Sequence, residues 1–293
     1  MLRASFRVVL GLTLGLVLTG VLGGANGAWS TSATAVAQEA RTRGALGPVA
    51  PLLDAQTIAV VRIDVPKLKP AAIGQFVAPL AETAGLPAEK TKQTLAIGEQ
   101  FQNAWTAAGG GDLIVALDLN DAPKSPAIVF GVAREGGRAA ALAELFASLP
   151  FEARETIGDV VVAGSKGAVE RAKKNQAAPH ADLQTALAAV ADSPIQVAVQ
   201  LPSDVRRVAM EFAPKLPAEW GVGTSEELAS SFRWLAVGVD SPPTFGLKAV
   251  LQADGVPGAQ RWHKATLAGL AWAVNQSPVR QLLPNADAVA ARL

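Results

Sequence analysis

Hydrophobic and polar positions alternate in the first regular segment of the chain, TIAVVRIDV. Val61, Ile63 and Val65 alternate with charged residues, which predicts a β-strand with one buried and one more polar face. Pro66 follows directly and ends the strand, because proline cannot donate a hydrogen bond to a neighbouring strand.

The pattern after this strand changes to the period of a helix and then returns to that of a strand. Two helical stretches follow, and the clearer one begins at Pro87 and ends at the glycine run 109–111. A hairpin is predicted over 112–133, a helix over 138–149, and a further strand that ends at Gly164. The predicted order is therefore β-α-β-β-α-β.

The same order is predicted a second time from residue 194 onward. An alternating strand over 194–201 is again followed by a proline, Pro202. The later elements are a helix near Ser203, a hairpin across 241–243, a long helix over 258–275 and a closing strand over 286–293.

This repeated order predicts an α+β fold of two tandem ferredoxin-like repeats, each with an antiparallel sheet and helices on one face. The first repeat is assigned to residues 54–176 and the second to residues 177–293. Residues 166–175 and 181–191 are predicted to be linking helices. The strand residues expected to be largely buried are Val61, Ile63, Val115, Leu117, Val129, Val197, Val199, Leu235, Val237 and Leu247.

In this layout the chain resembles the uncharacterised exported bacterial proteins that are built from tandem α+β repeats. The resemblance covers the chain beyond residue 37 and rests on the order of the elements. Because no specific motif carries it, the resemblance implies no particular activity.

The first 37 residues have the pattern of a secretory signal peptide. Arg3 and Arg7 precede an uncharged apolar run over 8–22, which is shorter than the roughly 20 residues that span a bilayer. Cleavage after Ala37 or after Gly27 fits the small residues in this region, and an uncleaved N-terminal membrane anchor is the alternative. Either interpretation predicts that the remaining chain lies outside the cytoplasm, as a periplasmic or secreted protein. Residues 38–53 are predicted to be a flexible segment.

The amino-acid composition excludes several classes of functional site. The chain has no cysteine, which excludes disulfides, thiolate nucleophiles and cysteine-ligated metal sites. The formal net charge is +1, and the basic residues form only short pairs, so no nucleic-acid partner is expected. We also expect no cofactor, and contact with a membrane only through an uncleaved leader.

Residue types that perform catalysis are sparse, and no catalytic, cofactor-binding or metal site is predicted. Ser165 lies in AGSKG, which lacks the spacing of a nucleophile elbow or a P-loop, and is predicted to cap a helix. His180 falls in the predicted linker and His263 on a helix, so neither is placed as the base of a triad. Asp118 and Asp121 lie near a hairpin turn without the glycine and distal glutamate of a calcium loop.

Trp220, in LPAEWGVG, is the candidate ligand-binding residue. It lies in a predicted loop between two helices, where an indole ring can contact a sugar or a peptide. The alternative is a ring that packs over the end of the adjacent helix.

These observations predict an exported, non-catalytic binding or scaffolding protein of the cell envelope, with an envelope protein or a glycan as its partner. The alternative is an extracytoplasmic hydrolase that uses carboxylates or a lone serine. A concave pocket with convergent polar groups and shifted carboxylate pKa values would favour the hydrolase, whereas a flat apolar patch or an open sheet face would favour the binding protein.

Overall fold

The computed structural model describes residues 45–83, 87–121, 127–175, 180–212, 216, 222–242 and 246–274. The strands in this part of the chain are β1 (Thr57–Asp64), β2 (Gly110–Asp118), β3 (Ala127–Ala133), β4 (Ala153–Ile157), β5 (Val160–Gly164), β6 (Ile195–Gln200), β7 (Phe232–Val239) and β8 (Leu247–Ala253). They form one open antiparallel sheet in the order β4-β5-β3-β2-β1-β6-β7-β8. The predicted α+β class is therefore confirmed.

Most of the helices fall between the strands at the places that the hydrophobic periodicity predicts. Their bounds are α1 (Pro70–Thr83), α2 (Ala88–Ala107), α3 (Ala139–Ala147), α4 (Lys166–Lys174), α5 (Ala181–Ala189), α6 (Ser203–Phe212), α7 (Ser225–Ser231) and α8 (Gly255–Val274). Both predicted linking helices are present as α4 and α5. The closing strand predicted over 286–293 lies outside the described residues.

The two halves of the chain meet within the sheet. β1 pairs antiparallel with β6, with Val61 opposite Val197, so the first and second halves share one ladder of hydrogen bonds. β1 also pairs directly with β2, although two helices connect them. In a split βαβ arrangement another strand would lie between two strands joined in this way, so the ferredoxin-like repeat is not confirmed.

Helices pack on both faces of the sheet, and not on one face as predicted. Because successive strand residues point to opposite faces, Val60 and Val61 belong to different layers. On the face of Val60, the strands pack against α4, α5 and the segment that precedes β1. On the face of Val61, they pack against Trp105 of α2 and Phe146 of α3.

This second layer explains which strand residues are most deeply buried. Of the ten residues expected to be buried, three are buried, Val115, Val129 and Val237, and the other seven are half-buried. In the alternate row, Val60 and Phe130 are fully enclosed. The alternation predicts the strand correctly, but it cannot show which face of the sheet is packed more completely.

Two local predictions differ from the structure. Part of the predicted flexible segment 38–53 is ordered, because Gly47–Leu52 form a 3₁₀ helix whose Val49 is fully buried against the sheet. The single strand predicted to end at Gly164 is a hairpin of β4 and β5, which turns at Gly158 with a φ of 58°. Glycine adopts this left-handed conformation without the steric cost that a β-carbon would add.

Aromatic packing fixes α2 and α3 onto the first half of the sheet. Trp105 is fully buried, and its Nε1 donates a hydrogen bond to the Gly111 carbonyl at 3.0 Å. A β-carbon on Gly131 of β3 would lie 2.8 Å from the Phe146 ring and 3.1 Å from Trp105. Glycine at this position therefore leaves the space that the two rings occupy.

Within the ranges that the structure describes, none of the helices combines the length and the apolar character needed to cross a membrane.

Candidate binding cleft

A cleft opens at the end of the sheet where β6 ends, β7 begins and β8 ends. Its volume is about 540 Å³, which lies within the range of small-molecule sites. We call it the His180 cleft, and the polar residues that line it include His180, Asp182, Gln200, Arg206, Arg233 and Asp254. These residues come from four elements, α5 with its N-cap, β6, α6 and β7, and from the turn after β8, so the cleft exists only in the folded chain.

His180 lies immediately before α5 and is only 5% exposed. Its Nδ1 is 3.5 Å from Nε2 of Gln200, which also donates a hydrogen bond to the Thr57 carbonyl at 3.0 Å. No described atom meets the full geometry of a hydrogen bond to His180 Nε2, although the Leu53 carbonyl is near enough to favour the protonated ring.

Burial decides the charge of this histidine. It lowers the pKa of His180 below its usual value of 6.5, because the charged imidazolium would lose its hydration. The Leu53 carbonyl and the Asp54 carboxylate act in the opposite direction, with smaller effects. The ring is therefore neutral at neutral pH, and it contributes no net charge to the cleft.

A charged cluster beside the cleft joins α4, the end of β2 and the segment before β1. Nε of Arg171 on α4 is 3.3 Å from Oδ2 of Asp54, and its Nη2 is 3.9 Å from Oδ2 of Asp118 at the end of β2. The cavity among these residues has a volume of only about 10 Å³, which is roughly the space of one water. We therefore assign the cluster a structural role: it holds the segment before β1 and the last turn of α4 against the sheet.

Arg233 reaches the cleft through an irregularity in β7. The pairing of β7 with β8 shifts register between Phe232 and Trp234, which leaves Arg233 as an extra residue in its strand. Such irregularities redirect a side chain relative to the regular alternation. Arg233 is exposed, and its Nε is 3.1 Å from Oδ1 of Asp254, so the two residues form an ion pair at the rim.

Arg206 and Asp182 line the same cleft from the first turns of α6 and α5. Arg206 donates from Nη1 to the Phe232 carbonyl at 3.0 Å, which orients its guanidinium at the start of β7. In the described part of the chain, neither residue forms a salt bridge, with the other or with any third residue.

The residues singled out from the sequence do not form this cleft, apart from His180. Ser165 caps α4 as predicted, with its hydroxyl accepting a hydrogen bond from the Ala168 amide at 3.1 Å. His263 is exposed on α8, and Asp118 is buried and bonds the Asn120 amide at 2.7 Å. Trp220 and the side chain of Asp121 lie outside the described residues.

Sequence reasoning missed Asp182, Arg206 and Arg233. No local spacing links them, because they come together only when β6, β7 and two helix starts meet at one end of the sheet. The pattern that marked this position was the strand-proline-helix sequence around Pro202, which places the start of α6 directly after β6. That pattern indicates a helix start, and it does not by itself indicate a ligand site.

Among the described residues, no group of three or more histidine, aspartate or glutamate side chains has a geometry that could hold a metal ion.

No protein-family model, curated protein or solved structure matches this chain.

Proposed function

We propose that this chain is an exported, non-catalytic binding protein of the cell envelope, and that the His180 cleft is its ligand-binding site. The cleft carries the proposal, because it is large enough for a small molecule or a chain terminus and has oriented polar groups in its walls. Arg206 is already held by the Phe232 carbonyl, so little side-chain freedom is lost when a ligand binds.

The contacts of His180 support binding over catalysis. A histidine that activates a serine must lie within hydrogen-bond reach of the hydroxyl. The side chain that His180 contacts at this range, among the described residues, is the Gln200 amide. The other groups that act on its ring are the Leu53 carbonyl and the Asp54 carboxylate.

Affinity capture from the native envelope tests this proposal. The bait proteins are the mature chain, the double variant Asp182→Asn with Arg206→Gln, and Arg207→Gln as a control. Arg207 is exposed on α6 next to Arg206 but does not line the cleft. A ligand or partner, such as an envelope protein or a glycan, should be retained by the wild type and the control and lost from the double variant. Equal capture by all three proteins would contradict a binding role for the cleft.

A hydrolase is the second candidate function, because Ser203 and the carboxylates of Asp182 and Asp254 line the same cleft as His180. A convergent polar pocket is the feature expected of such an enzyme. Treatment with a fluorophosphonate probe separates the two functions. The binding protein should remain unlabelled, whereas labelling of Ser203 that is lost in His180→Gln would establish the hydrolase.

Export is the part of this proposal that rests on the sequence of the first 37 residues, which lie outside the described ranges. The arginine-flanked apolar run supports it. Mass spectrometry of the protein isolated from its native cell should show a mature N-terminus at Gln38, or at Ala28 if the earlier site is used. Recovery of chains that begin at Met1 in the membrane fraction would instead support the anchored form.

We also propose that the two halves are copies of one unit. Both contain the order strand, two helices, hairpin, helix, and a proline follows the first strand of each copy at Pro66 and Pro202. The antiparallel pairing of β1 with β6 is compatible with a two-fold relation between the copies. An experimental structure should superpose β1, β2 and β3 on β6, β7 and β8 in that order, and failure of this superposition would refute duplication.

A further inference from the structure

The charges in the His180 cleft are balanced, and this balance limits its ligand. Two arginines and two aspartates line the cleft, and the histidine between them is neutral at neutral pH. Arg233 and Asp254 already neutralise each other at the rim, at 3.1 Å. The remaining opposite charges, on Arg206 and Asp182, belong to the first turns of two different helices.

Arg206 and Asp182 share the cleft without pairing. Both residues line the cleft, yet their charged atoms are too far apart to form a salt bridge with each other. The guanidinium of Arg206 uses one N–H group on the Phe232 carbonyl, and its other N–H groups have no hydrogen-bond acceptor among the described residues. Among the described residues, each of the two charges therefore lacks an ion-pair partner and is open to water or to a charged group of a ligand.

We infer that the His180 cleft binds a small zwitterionic ligand, an amino acid or a short peptide, with its carboxylate on Arg206 and its ammonium group on Asp182. This inference rests on the proposed binding function and names its ligand class. Arginine suits the carboxylate because its planar N–H groups can donate two parallel hydrogen bonds to the two oxygens. The ammonium group can donate up to three hydrogen bonds, and the carboxylate of Asp182 can accept at least one of them.

Ligands that carry a single sign of charge fit less well. A simple anion would gain Arg206 but would also meet Asp182, and a simple cation would meet Arg206. A zwitterion with separated ends satisfies both groups together and leaves neither charge unpaired in a partly desolvated cleft. The volume of about 540 Å³ leaves room for more than one residue of a peptide.

Calorimetric titration of the mature chain with L-alanyl-L-alanine tests this inference. Two analogues serve as probes for the two ends, the N-acetyl dipeptide without the ammonium group and the C-terminal amide without the carboxylate. The dipeptide should bind the wild-type protein, and each analogue should bind at least about tenfold more weakly, since each lacks one charge-assisted interaction. These wild-type measurements require no variant to fold.

Variants then assign each end of the ligand. Arg206→Gln should no longer discriminate between the dipeptide and its amide, but it should still reject the N-acetyl form. Asp182→Asn should show the converse. The matched controls are Arg207→Gln on α6 and Asp204→Asn in the first turn of that helix, because both residues are exposed and neither lines the cleft.

Several outcomes would overturn the inference. They are a lack of dipeptide binding to the wild type, equal affinity for all three compounds, and equal losses in the control variants. Competition by inorganic phosphate alone, without discrimination against the N-acetyl form, would indicate an anion site. If envelope capture depends on the cleft but delivers a ligand that is not zwitterionic, the proposed binding function stands and this inference fails.

Discussion

At the scale of single residues, His180 links the stability of the protein to pH. Its pKa in the folded chain is lowered from the usual value of 6.5 by burial. The unfolded chain therefore binds more protons than the folded chain as the pH falls below about 6.5. The free energy of unfolding should decrease through this window, and it should level off below the pKa of the folded state.

Urea denaturation of wild type and His180→Gln at about pH 7.5 and about pH 5.5 measures this dependence. The wild type should lose more stability between the two pH values than His180→Gln, because the glutamine does not titrate. His263→Gln is the control, since His263 is exposed on α8, and it should retain the wild-type dependence. An equal change in wild type and His180→Gln would show that burial of His180 has no such effect.

Ser165 is the residue whose local role the sequence predicts well. Its hydroxyl bonds the Ala168 amide, one of the N–H groups that a helix start leaves without a partner. Ser165→Ala should therefore lower the free energy of unfolding by about 1 kcal/mol. Ser230→Ala on α7 is the control, because that exposed hydroxyl donates only to the Glu227 carbonyl and caps no N–H group. A loss at Ser230 equal to that at Ser165 would contradict the capping role.

At the scale of elements, the periodicity of the chain predicts most helices and strands but not their partners. A cap such as Ser165 depends on residues three positions away, so the local sequence contains the needed information. The burial of His180 depends on β6 and on Leu53 and Asp54, which are more than 100 residues earlier in the chain. The hairpin β4–β5 is not predicted because β4 is short and mostly polar, so only β5 has the apolar run that indicates a buried strand.

Close packing between elements can be tested at Gly131 of β3. A β-carbon there would lie 2.8 Å from the Phe146 ring, and both Phe146 of α3 and Trp105 of α2 are buried against the sheet. Gly131→Ala should therefore cost about 1–3 kcal/mol, as expected when a methyl group is forced into a filled core.

Gly98→Ala is the matched control for this change. Gly98 lies within α2, and a β-carbon there would meet no atom within 4 Å. Because alanine favours a helix over glycine, this variant should gain about 0.5–1 kcal/mol. Chemical denaturation of both variants separates the packing effect at Gly131 from the backbone preference for alanine. If both variants lose stability, the effect at Gly131 is not explained by the aromatic rings.

At the scale of the whole molecule, the sheet joins what the sequence presents as two units. The element order suggests separate repeats, because each half contains its own strands, hairpin and helices. The ladder between β1 and β6 makes the halves neighbours in one sheet, and this pairing depends on register between strands about 130 residues apart. The sequence contains no local pattern that specifies such a contact. The His180 cleft has the same origin, since it forms at the end of this shared sheet.

A shared sheet predicts a shared unfolding transition. The central strand β1 contributes Val60, which is fully buried and packs in a core cluster that also contains Ala198 of β6 and Ala236 of β7. Thermal unfolding of the protein should show one transition with equal calorimetric and van't Hoff enthalpies. Val60→Ala should shift that whole transition to lower temperature, because the cavity it leaves borders both halves.

Hydrogen exchange gives the residue-level form of this prediction. The amides of β2 in the first half and of β7 in the second half should exchange with the same opening free energy, and Val60→Ala should lower both values equally. Leu142→Ala is the comparison, because Leu142 on α3 is buried in the cluster formed with α2 and the first-half strands alone. If β1 and β6 couple the halves, even this variant should lower the protection of β7. Loss of protection confined to β2 would show that the two halves unfold separately and that their common sheet does not make them one cooperative unit.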